Sequence, residues 1–289
     1  MTNMIFGLLL FSLVGFSYAE ERMEPDETVI YKTVANEIVG QAELKLHVFL
    51  PVGHQKTDQR PAIVFFFGGG WNGGSPGQFY PHCHYLASRG MVAISAEYRV
   101  KSRHGTSPQV CVQDGKSAIR WVRAHAEELG IDPEKLVAGG GSAGGHVAAA
   151  TATVAKFNEE GEDVSISCRP QALVLFNPVY DNSAEGYGYD RVQAYWKDFS
   201  PMHNIDENTP PTIVFLGSQD KLIPTTTAEK YKKLMEVKGG RCDLHIYEGE
   251  GHGFFNYKNY ENYVATVIEM DKFLASLGYL DGEPRLTRE

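Results

Sequence analysis

Long apolar runs are almost absent from this chain. After the first nineteen residues no segment stays apolar for the ~20 residues that a helix needs to cross a bilayer, so no membrane span is expected once that leader is gone. Cysteine is scarce as well. Cys83, Cys111, Cys168 and Cys242 are the only four, and their spacings match no zinc pattern. In an exported chain they could form two disulfides in any of three pairings; buried free thiols are the alternative, and the sequence does not choose. Positive charge is in deficit, with 27 Lys and Arg against 36 Asp and Glu. A net charge of −9 argues against nucleic acid or an anionic membrane as the main partner. No internal repeat, low-complexity tract or linker interrupts the chain, so residues 20–289 read as one domain.

What is present begins with "MTNMIFGLLLFSLVGFSYA", residues 1–19. Its apolar core from Ile5 to Phe16 and the small-x-small triplet Ser17-Tyr18-Ala19 are expected to form a cleaved secretory signal, although no Lys or Arg precedes the core. The mature chain then alternates between two periods. "VIYKTVANE" and "ELKLHVFLP" read as half-buried strands joined by a turn at Gly40. "AIVFFFGGG", "MVAISAEYR", "KLVAGGG", "ALVLFNPV", "TIVFLGSQD" and "CDLHIYEGEG" are short runs of the kind buried parallel strands use. Between them lie helical patterns: Val110–Leu129, the alanine-rich run after Gly145, and a final stripe of Tyr263, Val267, Met270, Leu274 and Leu277. The order predicts an α/β fold with a mostly parallel central sheet and helices on both faces. The stretch from Tyr180 to Pro211 fits no regular element and is expected to be a functional loop.

"KLVAGGGSAGGHVAAATA", Lys135–Ala152, places Ser142 in Gly140-Gly141-Ser142-Ala143-Gly144, a G-x-S-x-G pattern between a strand and a helix. That setting is the one a nucleophile elbow requires. The turn forces the serine into an unfavourable backbone conformation, so its neighbours must be small. A phosphate loop would need Lys after the glycines, and none follows. A close-packed glycine turn without chemistry is the plainer alternative.

A serine hydroxyl needs a base to take its proton and an acid to orient that base. Asp220 lies just past the strand "TIVFLG", and His252 just past the next, between Gly251 and Gly253. Both fall at strand C-terminal ends, where an open α/β sheet collects its site. Asp220 could instead cap the helix starting near Pro224, and His252 could be a solvated loop residue. Glu248 and Glu250 are rival acids, but they lie too near His252 in sequence to reach its far nitrogen easily. Gly68, Gly69 and Gly70 follow the third strand, where their N–H groups can turn toward the serine as oxyanion donors. Ala143 is expected to add another. His82-Cys83-His84 could start a metal site, but residues i and i+2 of a helix diverge. No cofactor and no metal are expected.

Taken in order, "GGGW", "EYR", "GGGSAGGH", "GSQDKLIP" and "GEGHGFF" resemble the α/β-hydrolase fold, in its hormone-sensitive-lipase-like and acetyl or feruloyl esterase branch. The resemblance implies Ser142, Asp220 and His252 as the triad and Gly69, Gly70 and Ala143 as the oxyanion donors. It also implies a structural arginine–aspartate pair, Arg99 and Asp114, behind the site. The family usually has His before its three glycines to brace that loop; this chain has Phe67. It also lacks the long helical cap of hormone-sensitive-lipase relatives before the first strand, so the site is expected to be open, with Tyr180–Pro211 as a small cap loop.

An open cleft rimmed by Trp71, Tyr187, Tyr189, Tyr195 and Trp196 would suit a bulky polar substrate, with aromatic faces stacking on sugar. The expected activity is therefore hydrolysis of carboxylic esters, with acetylated or feruloylated carbohydrate as leading substrate, by acyl transfer through Ser142. Activity is expected to rise through the pH region near ~6.5 where histidine loses its proton. A lipase or small-ester carboxylesterase, a peptidase of the prolyl-oligopeptidase type, and an inactive hydrolase fold used for binding are the rival readings.

Overall fold

The computed structural model describes residues 23–287, so the leader read at residues 1–19 lies outside the described residues. The chain enters as a hairpin of β1 (Glu27–Asn36) and β2 (Gly40–Phe49). Asn36 makes the turn: its side-chain oxygen accepts the N–H groups of Ile38 and Val39, both at 3.0 Å, and Gly40 takes the left-handed conformation that follows. The strands β3 (Arg60–Phe66), β4 (Val92–Ala96), β5 (Ile131–Gly141), β6 (Ala172–Phe176), β7 (Thr212–Gly217) and β8 (Cys242–Tyr247) complete a sheet of order β1-β2-β4-β3-β5-β6-β7-β8. β2 pairs antiparallel with β1 and β4, and all other pairings are parallel.

The period-2 pattern sorts each buried strand between two helical layers. Ile63, Phe65, Val174, Phe176, Ile213 and Phe215 pack on one face with α1 (Tyr80–Ser88) and α8 (Tyr260–Ser276). Val64, Phe66, Leu173, Leu175, Val214 and Leu216 pack on the other with α3 (Pro108–Ala124), α4 (Ala143–Thr153) and α7 (Thr225–Val237). Single-turn helices α2 (Lys101–His104), α5 (Tyr189–Val192) and α6 (Trp196–Phe199) fill the connections. The strand order reverses at β3: the chain steps outward to β4 and then returns past β3 to β5. The crevice beyond the C-terminal ends of β3 and β5 is thus a topological switch point, where open α/β sheets place their ligands.

Two expectations change in detail, and the alternative left open for the cysteines is decided. The helix read to Leu129 stops at Ala124, and the chain then closes on Gly130 at φ +61° before entering β5. The stretch from Tyr180 to Pro211 carries α5, α6 and a 3-10 turn at Pro201–Asn204, because its aromatic side chains pack inward. All four cysteines are free thiols, and Cys83, Cys111 and Cys242 are buried.

His82, read as a possible metal ligand, stands in the core against the rings of Phe65, Phe79, Phe176, Phe255 and Tyr263. Burial pushes its pKa down from 6.5 to about 3. Between those values the unfolded chain binds a proton here that the folded chain refuses. Stability therefore falls as pH drops from about 6.5 toward 3. Replacing His82 with Phe is expected to flatten that decline, read as melting temperature against pH. An unchanged slope would mean that His82 does not stay neutral in the fold.

Candidate active site

Ser142 sits at φ +53° and ψ −119°, between β5 and α4. A non-glycine residue in such a region carries strain of about 1–3 kcal/mol and persists only where its surroundings over-determine it. Here they do. The Ser142 N–H donates to the Phe176 carbonyl at 2.9 Å, and its own carbonyl accepts the N–H groups of His146 at 3.0 Å and Val179 at 3.1 Å. A side chain on Gly144 would collide with the carbonyl oxygens of Phe66 and Phe67, and one on Gly140 with the backbone of Gly144 and Phe66. The glycines let β3, β5 and α4 close around the serine.

Asp220 and His252 converge on it from the loops after β7 and β8. His252 Nε2 lies 2.9 Å from Ser142 Oγ, and its Nδ1 lies 2.7 Å from Asp220 Oδ2. Only a ring with its proton on Nδ1 can donate to the carboxylate and accept the serine hydroxyl at Nε2. The Asp220 side chain is fully buried, and that of His252 is 24% exposed. Burial alone would raise the Asp220 pKa. The hydrogen bond from His252 and the N–H groups of Ile223 and Leu222 outweigh it and hold the carboxyl below the usual range. Oδ2 of Asp220 faces His252, while Oδ1 accepts from Leu222 at 2.8 Å and Ile223 at 3.0 Å in the turn before α7, so Asp220 closes that turn and does not cap the helix, whose N-cap is Pro224. Glu248 and Glu250 take no part in this contact.

Ser142, His252, Gly69 and Gly70 share a cleft of about 360 Å3 with Gln78, Asn177, Tyr187, Leu222, Phe255 and Asn256, among others. Gly69 at φ +132° and Gly70 at φ +62° hold conformations that a side chain would oppose. Among the described residues neither glycine N–H donates to a protein acceptor. Ala143 opens α4, where first-turn N–H groups lack intrahelical partners. Together with the helix N-terminus these groups can stabilise an oxyanion formed at the serine.

Of the five aromatic residues expected at the rim, Tyr187 lines the cleft. Trp71 is 1% exposed and packs on His146, Phe199 and Tyr187. Tyr195 packs on Phe157 and Phe199, while Trp196 meets Tyr189 and His203 edge-on. They build the wall of the loop, not the surface of the cleft. Phe67, in place of the bracing histidine, stacks on Tyr98 with ring centroids 4.2 Å apart, and the Tyr98 hydroxyl donates to the Phe67 carbonyl at 2.5 Å. Behind it Arg99 grips Asp114 through Nη2 at 2.7 Å and Nε at 2.8 Å, and Lys32 reaches Asp114 at 2.8 Å and Glu159 at 2.6 Å.

Sequence reading missed Asn177, Gln78 and Asn256. Asn177, buried at φ +33°, accepts the Gly253 N–H at 2.9 Å and turns its amide nitrogen toward His252 Nε2 at 3.4 Å. An Asn-Pro pair at the C-terminal end of a strand was the available signal. Gln78 and Asn256 stand in no motif.

A strained serine at a switch point, a histidine and a buried carboxylate in line, and free amides beside them define an α/β-hydrolase with a nucleophile elbow. Comparison with known proteins agrees. Residues 46–183 match the BD-FAE family model and residues 176–274 that of the dienelactone hydrolase family. Carboxylesterase NlhH of Mycobacterium tuberculosis is 30% identical over 239 residues, covering 75% of this chain and 73% of NlhH. Esterase LipC of the same organism is 30% identical over 223 residues, which are 68% of this chain and 54% of LipC. The chain thus spans about half the length of LipC and of the related LipM. The apo form of Thermogutta terrifontis esterase 2 superposes with a TM-score of 0.84 at 46% identity, covering 89% of this chain and 96% of that one. This chain belongs to the α/β-hydrolase esterases.

Asp220→Asn keeps an acceptor for the Leu222 and Ile223 amides but removes the charge beside His252. Its kcat on an ester that the wild type cleaves is expected to fall about 10⁴-fold, as in other hydrolase triads, with the melting temperature little changed. A loss below about ten-fold would mean that another group orients His252.

Proposed function

We propose that this protein is a carboxylic ester hydrolase that works by acyl transfer through Ser142, with His252 as general base and Asp220 as its orienting carboxylate. The observation that carries the reading is the unbroken line from Asp220 Oδ2 through His252 to Ser142 Oγ, 2.7 and 2.9 Å, opening onto a cleft with unengaged glycine amides. Ser142 Oγ attacks the ester carbonyl as its proton passes to His252 Nε2. The resulting oxyanion is held by the N–H groups of Gly69, Gly70 and Ala143. His252 then protonates the leaving alcohol, and water repeats the sequence to free the acid.

A cleft of about 360 Å3 favours short acyl groups. Thermogutta terrifontis esterase 2, described above, has also been solved with propionate or butyrate bound, which supports the same acyl range. The hydroxyl of Tyr187, beside Gly70, gives the cleft a polar border. That border supports the finer reading, acetyl esters of carbohydrate, over esters of long alkyl chains. The apolar leader at residues 1–19 supports export of the mature chain, which we take to act as one catalytic domain from residue 20 onward.

On p-nitrophenyl acetate, Ser142→Ala is expected to lose at least ~10⁴-fold in kcat while keeping the wild-type circular dichroism spectrum. Equal rates for the two proteins would remove Ser142 from the chemistry. Along a series from acetyl to octanoyl esters, kcat/KM is expected to decline; a steady rise would identify a lipase instead. For export, N-terminal sequencing of the protein released by its host should begin at Glu20.

A further inference from the structure

We propose that Gln78 and Asn256 form a positioning bridge that fixes the separation between the glycine loop after β3 and the histidine loop after β8, and that this bridge braces the glycine loop in a chain that carries Phe67 instead of histidine. The inference rests on Ser142 and His252 acting as described above. Gln78 Oε1 accepts the Gly68 N–H at 2.6 Å, and Gln78 Nε2 donates to Asn256 Oδ1 at 2.9 Å. Asn256 Nδ2 in turn donates to the Gly253 carbonyl at 2.7 Å. Gly253 follows His252 directly, and its N–H is held by Asn177.

The polarity of this chain is imposed from both ends. A backbone N–H can only donate and a backbone carbonyl can only accept, so Gly68 demands the oxygen of Gln78 and Gly253 demands the nitrogen of Asn256. The two remaining amide ends then meet as donor and acceptor. Turning either amide over would break its backbone bond and oppose like groups at the centre.

The bridge is needed because Gly68, Gly69 and Gly70 have no side chains to anchor them. Phe67 is held from behind by Tyr98, and Gly70 by Arg191, whose Nη1 donates to its carbonyl at 2.7 Å. Between these two points the Gly69 carbonyl accepts the N–H groups of Asn72 at 3.0 Å and Gly73 at 3.1 Å within the loop, and Gln78 is the side-chain hold on Gly68. An ideal Cβ on Gly68 would lie 3.3 Å from Ser142 Cβ, so small shifts here move the neighbouring oxyanion donors relative to the nucleophile. Donors that must be aligned before charge develops lose their effect when displaced, whereas ground-state binding does not depend on them.

Gln78→Met keeps length and volume but makes neither hydrogen bond, and Asn256→Leu breaks the bridge from the other end. These variants, their double variant, wild type and Ser142→Ala would be assayed on p-nitrophenyl acetate and butyrate, at a temperature where circular dichroism shows all of them folded. Each single variant is expected to lose on the order of ten-fold in kcat, equally for both esters and with KM little changed. The double variant should lose about as much as one single variant, because either change opens the whole bridge. Retained kcat in both single variants, or losses that multiply in the double variant, would overturn the bridge. So would a change confined to KM or to one ester, which would make Gln78 a substrate contact. A wild-type rate that Ser142→Ala retains would instead remove the underlying esterase reading, and the bridge with it.

Discussion

The close approach of β3, β5 and α4 around a strained serine is the constraint on which the rest of this structure depends. Ser142 at φ +53° is held by three backbone hydrogen bonds, to Phe176 at the end of β6, to Val179 just after it and to His146 of α4. β3 and α4 come near enough to β5 because Gly140 and Gly144 leave room for the carbonyls of Phe66 and nearby backbone. The same approach sets the glycine loop after β3 against Ser142. Backbone strain, helix N-terminus and the glycine-loop amides are thus one geometric arrangement, and the surrounding fold outweighs the local strain.

From Asp220 through His252 to Ser142, burial is graded along a short path. Asp220 is enclosed and kept ionised by donated hydrogen bonds, His252 is half-buried, and Ser142 opens onto the cleft. A carboxylate so enclosed can do little except orient and stabilise the imidazole beside it. A second set of charges, away from the chemistry, ties the frame together. Lys32 of β1, Arg99 after β4, Asp114 of α3 and Glu159 after α4 share hydrogen bonds in a largely buried cluster. Such a cluster is a poor source of net stability, but deleting one partner leaves an uncompensated charge behind. Its effect is to hold the antiparallel hairpin and α3 in one register behind the glycine loop.

Much of this was readable beforehand, and the reasons differ between residues. The strands show in the sequence because a sheet covered on both faces demands continuous apolar runs. Ser142 shows because an elbow tolerates only small neighbours, and Asp220 and His252 because they stand just past strands of a parallel sheet, where its loops gather. The aromatic rim was misjudged for the opposite reason. Tyr and Trp serve core and binding surface equally well, and nothing in the spelling of Trp71 or Tyr195 says that Phe199 and Phe157 will be there to cover them.

By itself, then, the sequence determined the sheet, the elbow and the places of Ser142, Asp220 and His252 at the ends of successive strands, because each rests on local backbone sterics or on periodicity. Tertiary structure alone decided which aromatic ring meets the cleft, that His82 is neutral core, and that Phe67 is backed by Tyr98. It also decided that Gln78 meets Asn256, 178 residues further along the chain. A side-chain amide carries no positional signature, and its role appears only when folding brings an unpaired donor and acceptor within about 3 Å of it.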